Sequence, residues 1–371
     1  MQSTTKNSIK VISSRIAEAL AARMGANATM SEGARQYAGM SVLEMARDYI
    51  DLVGHSTRGM DRFQLSSEMM QFRSGAHASA DFPSILADAA HKRLRDAYQA
   101  AAPTYAVWAR RAPNAIDFRP ITVVQLSGAP DLLRTSEHQE FQYGSMSDGA
   151  ETYSVITYGR MVNLTRQALI NDDLRAFGRL VEAFGFAARR LENRLVYAQL
   201  TANAAMADGT ALFHANHGNL GTGGGSNLAA ASLTTGRTAM RLQKGMQSEE
   251  LNLAPAYLVV PASLEQTAYQ LTSANYVPAT AGAVNEFRAG GRNPLQPVVE
   301  TLLDSASTTA WYLAAASNQV DTVEYCYLGE DDGPVIETKI GFEMDAMTFK
   351  ARLDFGAKAI DYRGLYKSNG A

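Results

Sequence analysis

The sequence holds one cysteine, Cys326, in 371 residues. A disulfide within the chain is therefore excluded, and a reducing compartment fits this usage. Cys326 stands in the β-prone run VEYCYL and reads as a buried strand residue rather than a reactive thiol. No apolar run approaches the ~20 residues that a membrane span needs. The N-terminal stretch MQSTTKNSIKVISSRIAEALAARMG spaces its apolar residues along a helix instead of fusing them into one block, so it does not read as a signal peptide. The chain is expected to be soluble and intracellular, with no membrane partner. A surplus of one charge is also lacking: 34 Lys+Arg against 37 Asp+Glu leave a formal net charge of −3. That argues against a protein held by broad contact with nucleic acid, which needs a basic surface. The 46% apolar and 19% charged fractions are ordinary for a globular protein. The length predicts two or three compact lobes, and no internal repeat is visible.

Residues 1–75 read as mainly helical. Ile9, Ile12, Ile16 and Leu20 recur at three- and four-residue steps, giving one apolar stripe. A second stripe lies in SVLEMARDYIDLVG, with Ser41 as N-cap and Gly54 as stop. Between them GANATMSEGARQYAG is a loop by composition. Neither helix is long enough to be stable alone, so both must dock. SADFPSILADAAHKRLRDAYQ predicts a helix entered at Asp81 with Pro83 in the first turn, with Ile85, Leu86, Ala89, Leu94 and Tyr98 on one side.

Between Asp117 and Arg160 the pattern turns to short β-prone runs, ITVVQL, EFQYG and TYSVITYG, separated by turn formers. They predict a long two-stranded excursion, marginal in water on its own, which rests on a neighbour. Asn171, Asp172 and Asp173 then cap the strongest helix, with apolar residues from Leu174 through Phe177, Val181, Phe184, Ala188, Leu191 and Leu195 to Ala198. Arg175, Arg179, Glu182, Arg189, Glu192 and Asn193 occupy its other faces. Such a helix runs about 40–45 Å. Beyond a glycine loop, SLTTGRTAMRLQKGM predicts a helix, and LVV a buried strand followed by Pro261 and a second helix. TLLDSASTTAWYLAAA and DTVEYCYLG are pieces of an α+β lobe. In MTFKARLDFGAKAIDYRGLY, Met347, Phe349, Ala351, Leu353 and Phe355 alternate with polar residues, the mark of a half-buried strand.

The stretch from Leu212 to Leu228, LFHANHGNLGTGGGSNL, holds the first candidate site. His214 and His217 lie three residues apart, as helical metal ligands can. Catalytic zinc needs three protein ligands, and its helical form carries a glutamate base in HExxH. Here Ala215 and Asn216 intervene, Gly218 follows at once, and no acidic residue is near, so a turn held by histidine hydrogen bonds is expected. The glycines of GTGGGSN lack the Gly-Lys-Ser/Thr ending of a phosphate loop and the strand–loop–helix setting of a dinucleotide site; they read as a hairpin tip. There is no G-x-S-x-G elbow, and no histidine stands in a context that marks a general base. Arg175, Arg179, Arg189, Arg190 and Arg194 on the long helix suit i, i+4 pairs or subunit contacts, with sequence-independent DNA contact as the lesser reading. No catalytic, metal or cofactor-binding residue is assigned.

Two kinds of similarity follow. The order of parts (helical N-terminal region, β excursion, long capped helix, α+β lobe, final amphipathic strand) resembles the major capsid proteins of tailed bacteriophages, the Hong Kong 97-type fold. HASADFPSILADAAHKRLRDAYQ, RQYAGMSVLEMARDYIDLVG and GTALFHANHGNL are similar to segments of the Mu-like major head subunits. They also resemble the capsid part of proteins in which a prohead protease precedes the capsid domain. The chain starts where that capsid part would start, which implies a gene for the shell protein alone or a mature piece. The resemblance implies an α+β chain with these parts: N-arm, 1–116; E-loop, 117–160; P-domain, 161–250 and 340–371, with a spine helix at 172–203; A-domain, 251–339. It implies a non-enzymatic subunit that assembles as hexamers and pentamers into an icosahedral virion shell around double-stranded DNA, in the host bacterial cytoplasm. Decoration, portal and scaffold proteins are implied partners, and DNA is contacted without sequence specificity. Some members join their E-loops to neighbours through a lysine–asparagine isopeptide bond. No lysine lies between Asp117 and Arg160, so no such bond is expected from this loop. The alternatives are an encapsulin-like nanocompartment shell of the same fold and a metal-dependent hydrolase using His214 and His217.

Overall fold

The computed structural model describes residues 2–26, 29–71, 82–126, 148–246, 248–273, 287–291, 294–340 and 346–371. The run EFQYG and the helix entry at Asp81 lie outside them. In chain order the helices are α1 (Gln2–Arg23), α2 (Glu32–Arg35), α3 (Val42–Leu52), α4 (Arg62–Gln71), α5 (Phe82–Ala100), α6 (Arg166–Ile170), α7 (Leu174–Ala202), α8 (Ala230–Arg241) and α9 (Glu265–Thr272). The strands are β1 (Arg110–Arg111), β2 (Ile121–Leu126), β3 (Asp148–Tyr153), β4 (Ile156–Thr165), β5 (Leu220–Gly221), β6 (Pro255–Val260), β7 (Gln296–Val299), β8 (Trp311–Ala315), β9 (Val323–Tyr327), β10 (Val335–Ile340), β11 (Ala346–Ala359) and β12 (Leu365–Ser368). The chain divides into two compact units: Met1–Ala102, Thr157–Leu191 and Glu330–Asp354 form the first; Pro103–Ile156, Glu192–Gly329 and Phe355–Ala371 form the second.

The first unit is helical, with a small sheet. Ile16 and Leu20 of α1 are buried and Ile9 and Ile12 pack at the margin of the same core, so the docking that this short stripe requires takes place within the chain. Ser41 caps α3 in a full capping box: its hydroxyl accepts from Glu44 N–H at 3.3 Å, and the Glu44 carboxylate accepts from Ser41 N–H at 2.7 Å. Two backbone donors are satisfied reciprocally. The helix ends at Leu52, and Gly54 turns the chain with φ +96°, as the position after a helix favours. The loop expected at 25–39 carries the single turn α2. In α5 the residues Ile85, Leu86, Ala89, Leu94 and Tyr98 are all buried. The first part of β11 pairs antiparallel with β10, from Val335 with Arg352 to Ile340 with Met347, and β4 also pairs with β11. Met347 and Phe349 point into the helical core, where Phe349 meets Phe177 of α7 with ring centroids 4.6 Å apart. Thr348, Lys350 and Arg352 fall on the opposite face, and Lys350 and Arg352 both pair with Glu337 across the β10–β11 ladder.

The second unit holds the five-stranded mixed sheet β5-β12-β8-β6-β7, in which β6 runs parallel to β7 and antiparallel to β8. Leu233 and Met240 of α8 and Ala268 and Leu271 of α9 join Leu258, Val260, Trp311 and Leu313 in its core. Every residue of β8 and β9 is buried, so WYLAA and VEYCY read as continuous runs rather than alternating ones. Cys326 is fully buried in β9. β9 pairs with β1 in parallel and, antiparallel, with the end of β11, from Phe355 with Tyr327 to Ala359 with Val323.

Two expectations change here. The run TYSVITYG is two strands, because β3 pairs with β2 while β4 pairs with β11. The break falls at Ser154 and Val155. Val155 is buried, and the backbone at Gly356 lies so close that a Cβ there would stand 2.8 Å from the Ser154 carbonyl oxygen. Glu192, expected on a polar face of the long helix, is fully buried. Its carboxylate accepts from Tyr105 Oη at 2.9 Å and Tyr327 Oη at 3.4 Å. A buried carboxylate is tolerated where donors replace its water.

Candidate functional site

The histidine stretch starts where α7 stops. Asn203 takes φ +48°, a conformation asparagine tolerates, and its side-chain amide clasps the backbone N–H and carbonyl of Phe213 at 2.7 and 3.2 Å. Between them the chain makes a tight excursion closed by the Ala205–Ala211 bridge, with Asp208 in the turn. His214 then caps a 3-10 turn, Nδ1 accepting from Asn216 N–H at 3.1 Å, and stays exposed. His217 is buried. Its Nδ1 faces the Leu212 carbonyl at 3.1 Å, its Nε2 faces the Asp208 carboxylate at 2.8 Å, and its ring stacks on Tyr362 at 3.7 Å. Asn219, also buried, donates to the Leu212 carbonyl and accepts from His214 N–H. Gly218 closes the turn with φ +63°.

The structure therefore does not bring the two histidines together as ligands. One side chain caps a turn at the surface, and the other has both ring nitrogens committed to acceptors. The expectation that no acid stands near them is corrected: Asp208, nine residues before His217, is folded back onto it by the Asn203 clasp. Burial pushes the Asp208 carboxyl up, but hydrogen bonds from His217 and the Thr210 N–H outweigh it and hold the group below its ordinary value. An Asp–His pair orients a base in hydrolases. Here the nitrogen that would face a nucleophile is occupied by a backbone carbonyl. Among the described residues no group of three or more His, Cys, Asp or Glu is arranged to hold a metal.

The surfaces left unfinished are elsewhere. β2 and β3 form an antiparallel ribbon, from Ile121 with Tyr153 to Leu126 with Asp148. One face docks on its own unit. Tyr153 Oη donates to Glu324 at 2.7 Å, Glu151 accepts from Ala207 N–H at 2.6 Å and lies 3.7 Å from Lys358 Nζ, and Gln125 donates to the Ile360 carbonyl. The stem of the ribbon is thus held by its own chain, where the sequence alone suggests none of this support. The other face, with Thr122, Val124, Ala150 and Thr152, is open to solvent. Just before the ribbon Ile116 is 96% exposed and Phe118 54%. In the first unit β4 is exposed along most of its length, Met161 to 70%. Arg175, Arg179 and Arg190 of α7 are exposed, whereas Arg189 lies 3.5 Å over the Tyr98 ring and donates to its carbonyl. No helix among the described residues is long and apolar enough to cross a membrane.

A family model described as phage capsid protein matches residues 149–368, more than half of the chain. No curated protein matches the sequence. Similar solved structures include that of Ralstonia phage GP4 capsid, at 10% identity and TM-score 0.49, covering 70% of this chain and 86% of that one. Gordonia phage Cozz is similar at 10% identity and TM-score 0.45, covering 73% and 88%. The holo-SrpI encapsulin complex from Synechococcus elongatus PCC 7942 is similar at 12% identity and TM-score 0.47, covering 74% and 89%. The assignment rests on the family model. A helical N-terminal part, a β ribbon, a 29-residue helix and an α+β part closed by a long strand follow in the order of the Hong Kong 97-type capsid fold. The chain belongs to the phage capsid protein family, and is a structural subunit of a virion shell.

Proposed function

We propose that this subunit assembles as hexamers and pentamers into a closed icosahedral shell around double-stranded DNA, without catalysing a reaction. The observation that carries this reading is the ribbon. Its inner face is bonded to its own chain, while an outer face containing Val124, 51% exposed, has no cover among the described residues. A two-stranded ribbon gains stability when a third layer covers it, and in a shell that layer is a neighbouring copy. Ile116, Phe118 and Met161 add apolar surface of the kind that marks protein contacts. Closed shells use heterologous contacts repeated around symmetry axes, and modest contacts multiplied over many copies hold without any single tight one.

In this reading residues 1–116 act as the N-arm, 117–160 as the E-loop, and 161–250 with 340–371 as the P-domain. The spine helix lies at 172–203, and 251–339 meet as A-domains around the local axes. Assembly takes place in the bacterial host's cytoplasm, with portal, scaffold and decoration proteins as further partners. The test is electron microscopy of the expressed protein together with analysis of purified virions. Closed particles with nuclease-protected duplex DNA and a single monomer band on a denaturing gel are expected. Protein cargo in place of DNA would transfer the reading to a nanocompartment; a covalent ladder would overturn the expectation of noncovalent contacts.

A further inference from the structure

His217 has an acceptor against each ring nitrogen. The Leu212 carbonyl lies 3.1 Å from Nδ1, and the Asp208 carboxylate lies 2.8 Å from Nε2. Neither oxygen has a proton to give. A carbonyl never does, and against the cost of burial the hydrogen bonds to Asp208 hold its carboxyl below the ordinary value, so it stands ionised. A neutral imidazole has one N–H and one bare nitrogen. Either tautomer would set a lone pair against an oxygen here, on a ring that is buried. The imidazolium, with a proton on both nitrogens, satisfies both partners. The other groups about the ring leave that demand unchanged. Asp361 and Arg363 pair with each other at 3.1 Å, Tyr362 offers its ring face, Asn219 is a second donor to the Leu212 carbonyl, and Gln243 donates to the His217 backbone carbonyl.

Asp208 sits in the turn closed by the Ala205–Ala211 bridge, and its other oxygen accepts from Thr210 N–H at 2.8 Å. One residue earlier, Ala207 N–H donates to Glu151 of β3 at 2.6 Å, and Glu151 is itself buried, 3.7 Å from Lys358 Nζ. Polar contacts thus run from the His217 ring through the turn to the stem of the ribbon.

We infer that His217 is a pH-sensitive latch: protonated, it holds the 205–211 turn through Asp208, the turn holds the stem of the β2–β3 ribbon through Ala207 and Glu151, and loss of the ring proton loosens both. Histidine is the side chain whose charge ordinarily changes near neutral pH. The closed turn keeps a proton that the open turn gives up, so a rise in pH favours opening, by at most about tenfold per pH unit. At the acid end the limit is Asp208, whose contribution is whole above its ordinary 3.8 and is lost as pH falls through its lower folded value. The latch goes beyond the shell-forming role, since it operates in a single subunit.

Amide hydrogen exchange of the full, unassembled chain at about pH 6 and about pH 8, corrected for the intrinsic pH dependence of exchange, tests it. Segments 204–212 and 148–153 are expected to lose protection together at the higher pH, by about tenfold or more, while β6 keeps its own. D208N sets an amide donor against Nε2 and keeps an oxygen for Thr210 N–H. A neutral ring then satisfies both partners, so both segments should stay equally protected at the two pH values. Nitrogen-15 spectra of ring-labelled protein, with the His217 signals assigned by their absence from H217Q, should show protons on both ring nitrogens of the parent at the lower pH. Circular dichroism checks folding; where D208N does not fold, the spectra and exchange of the parent decide. A single ring proton at the lower pH, parent exchange that does not respond to pH, or the parent's pH response persisting in D208N would overturn the latch. Loosening of the turn with the ribbon stem unchanged would break the link through Glu151 and overturn it as well.

Discussion

Gly178 of α7 lies against Met24 at the end of α1: a Cβ built on Gly178 would stand 2.9 Å from the Met24 Cα. Seven residues on, a Cβ on Gly185 would stand 2.8 Å from both the Ala97 Cβ and the Leu94 carbonyl oxygen of α5. The AFG triplets at 176–178 and 183–185 thus set two glycines where neighbouring backbones press on the long helix. Glycine costs a helix interior about 1 kcal/mol relative to alanine, so these positions forgo helix propensity for close packing. The expected outcome is that G178A and G185A destabilise the subunit by about 1–3 kcal/mol each, through forced separation of packed backbones. Urea unfolding of the unassembled protein measures this. Stabilisation would mean that the contact relaxes without cost.

His217 is a structural residue in this reading. H217A removes the ring that stacks on Tyr362 and faces the Leu212 carbonyl and the Asp208 carboxylate, leaving both acceptors without that partner. A loss of about 2–3 kcal/mol is expected, against about 1 kcal/mol or less for H214A, which removes only a turn cap. A chelator should leave the melting temperature unchanged, and elemental analysis should find no stoichiometric zinc. A chelator-induced fall in melting temperature would revive the metal reading.

Much of this fold was legible in the sequence because local signals agreed with the packing. Ser41 and Glu44 announce the start of α3 by spacing alone, the apolar positions of α5 are the ones buried, and the alternation around Phe349 places β11. The failures share a cause. Glu192 reads as a polar-face residue because a charged residue on an amphipathic helix is normally solvated, and only the fold supplies Tyr105 and Tyr327 as donors. Asp208 meets His217 through a clasp made by Asn203, which no spacing rule encodes. The inner face of the ribbon is likewise held by partners far away in sequence, Glu324 and Lys358 among them.

Acid should destabilise the subunit through carboxylates whose pKa is depressed on folding. Hydrogen bonds from the Ser263 hydroxyl and the N–H groups of Ala262 and Ser263 hold Asp304 below its ordinary 3.8, and Ser31 holds Glu18 below 4.5. Each depressed group stabilises the fold fully above its unfolded value. That contribution is lost as pH falls through the lower folded value. The melting temperature should therefore hold from pH 7 to about 5 and fall steeply below about 4. D304N should flatten part of that fall while lowering stability at neutral pH. An unchanged acid slope in D304N would remove Asp304 from the account.

The two faces of the ribbon separate stability from assembly. Y153F deletes the hydroxyl that donates to Glu324, a carboxylate that is itself buried. Leaving that acceptor unsatisfied costs about 1–3 kcal/mol, and the loss should appear in the isolated subunit. V124D alters only the open face. Surface changes away from packed features stay within about 0.5 kcal/mol, so the unassembled chain should melt as the parent does. A neighbour seated on that face, however, would have to bury an unpaired carboxylate, which is strongly unfavourable. Particle yield should then collapse in V124D and survive in Y153F under conditions where the latter still folds. Sedimentation of both variants beside the parent measures it. Normal shells from V124D would show that the open face stays in solvent after assembly, and the shell would have to be held by other surfaces.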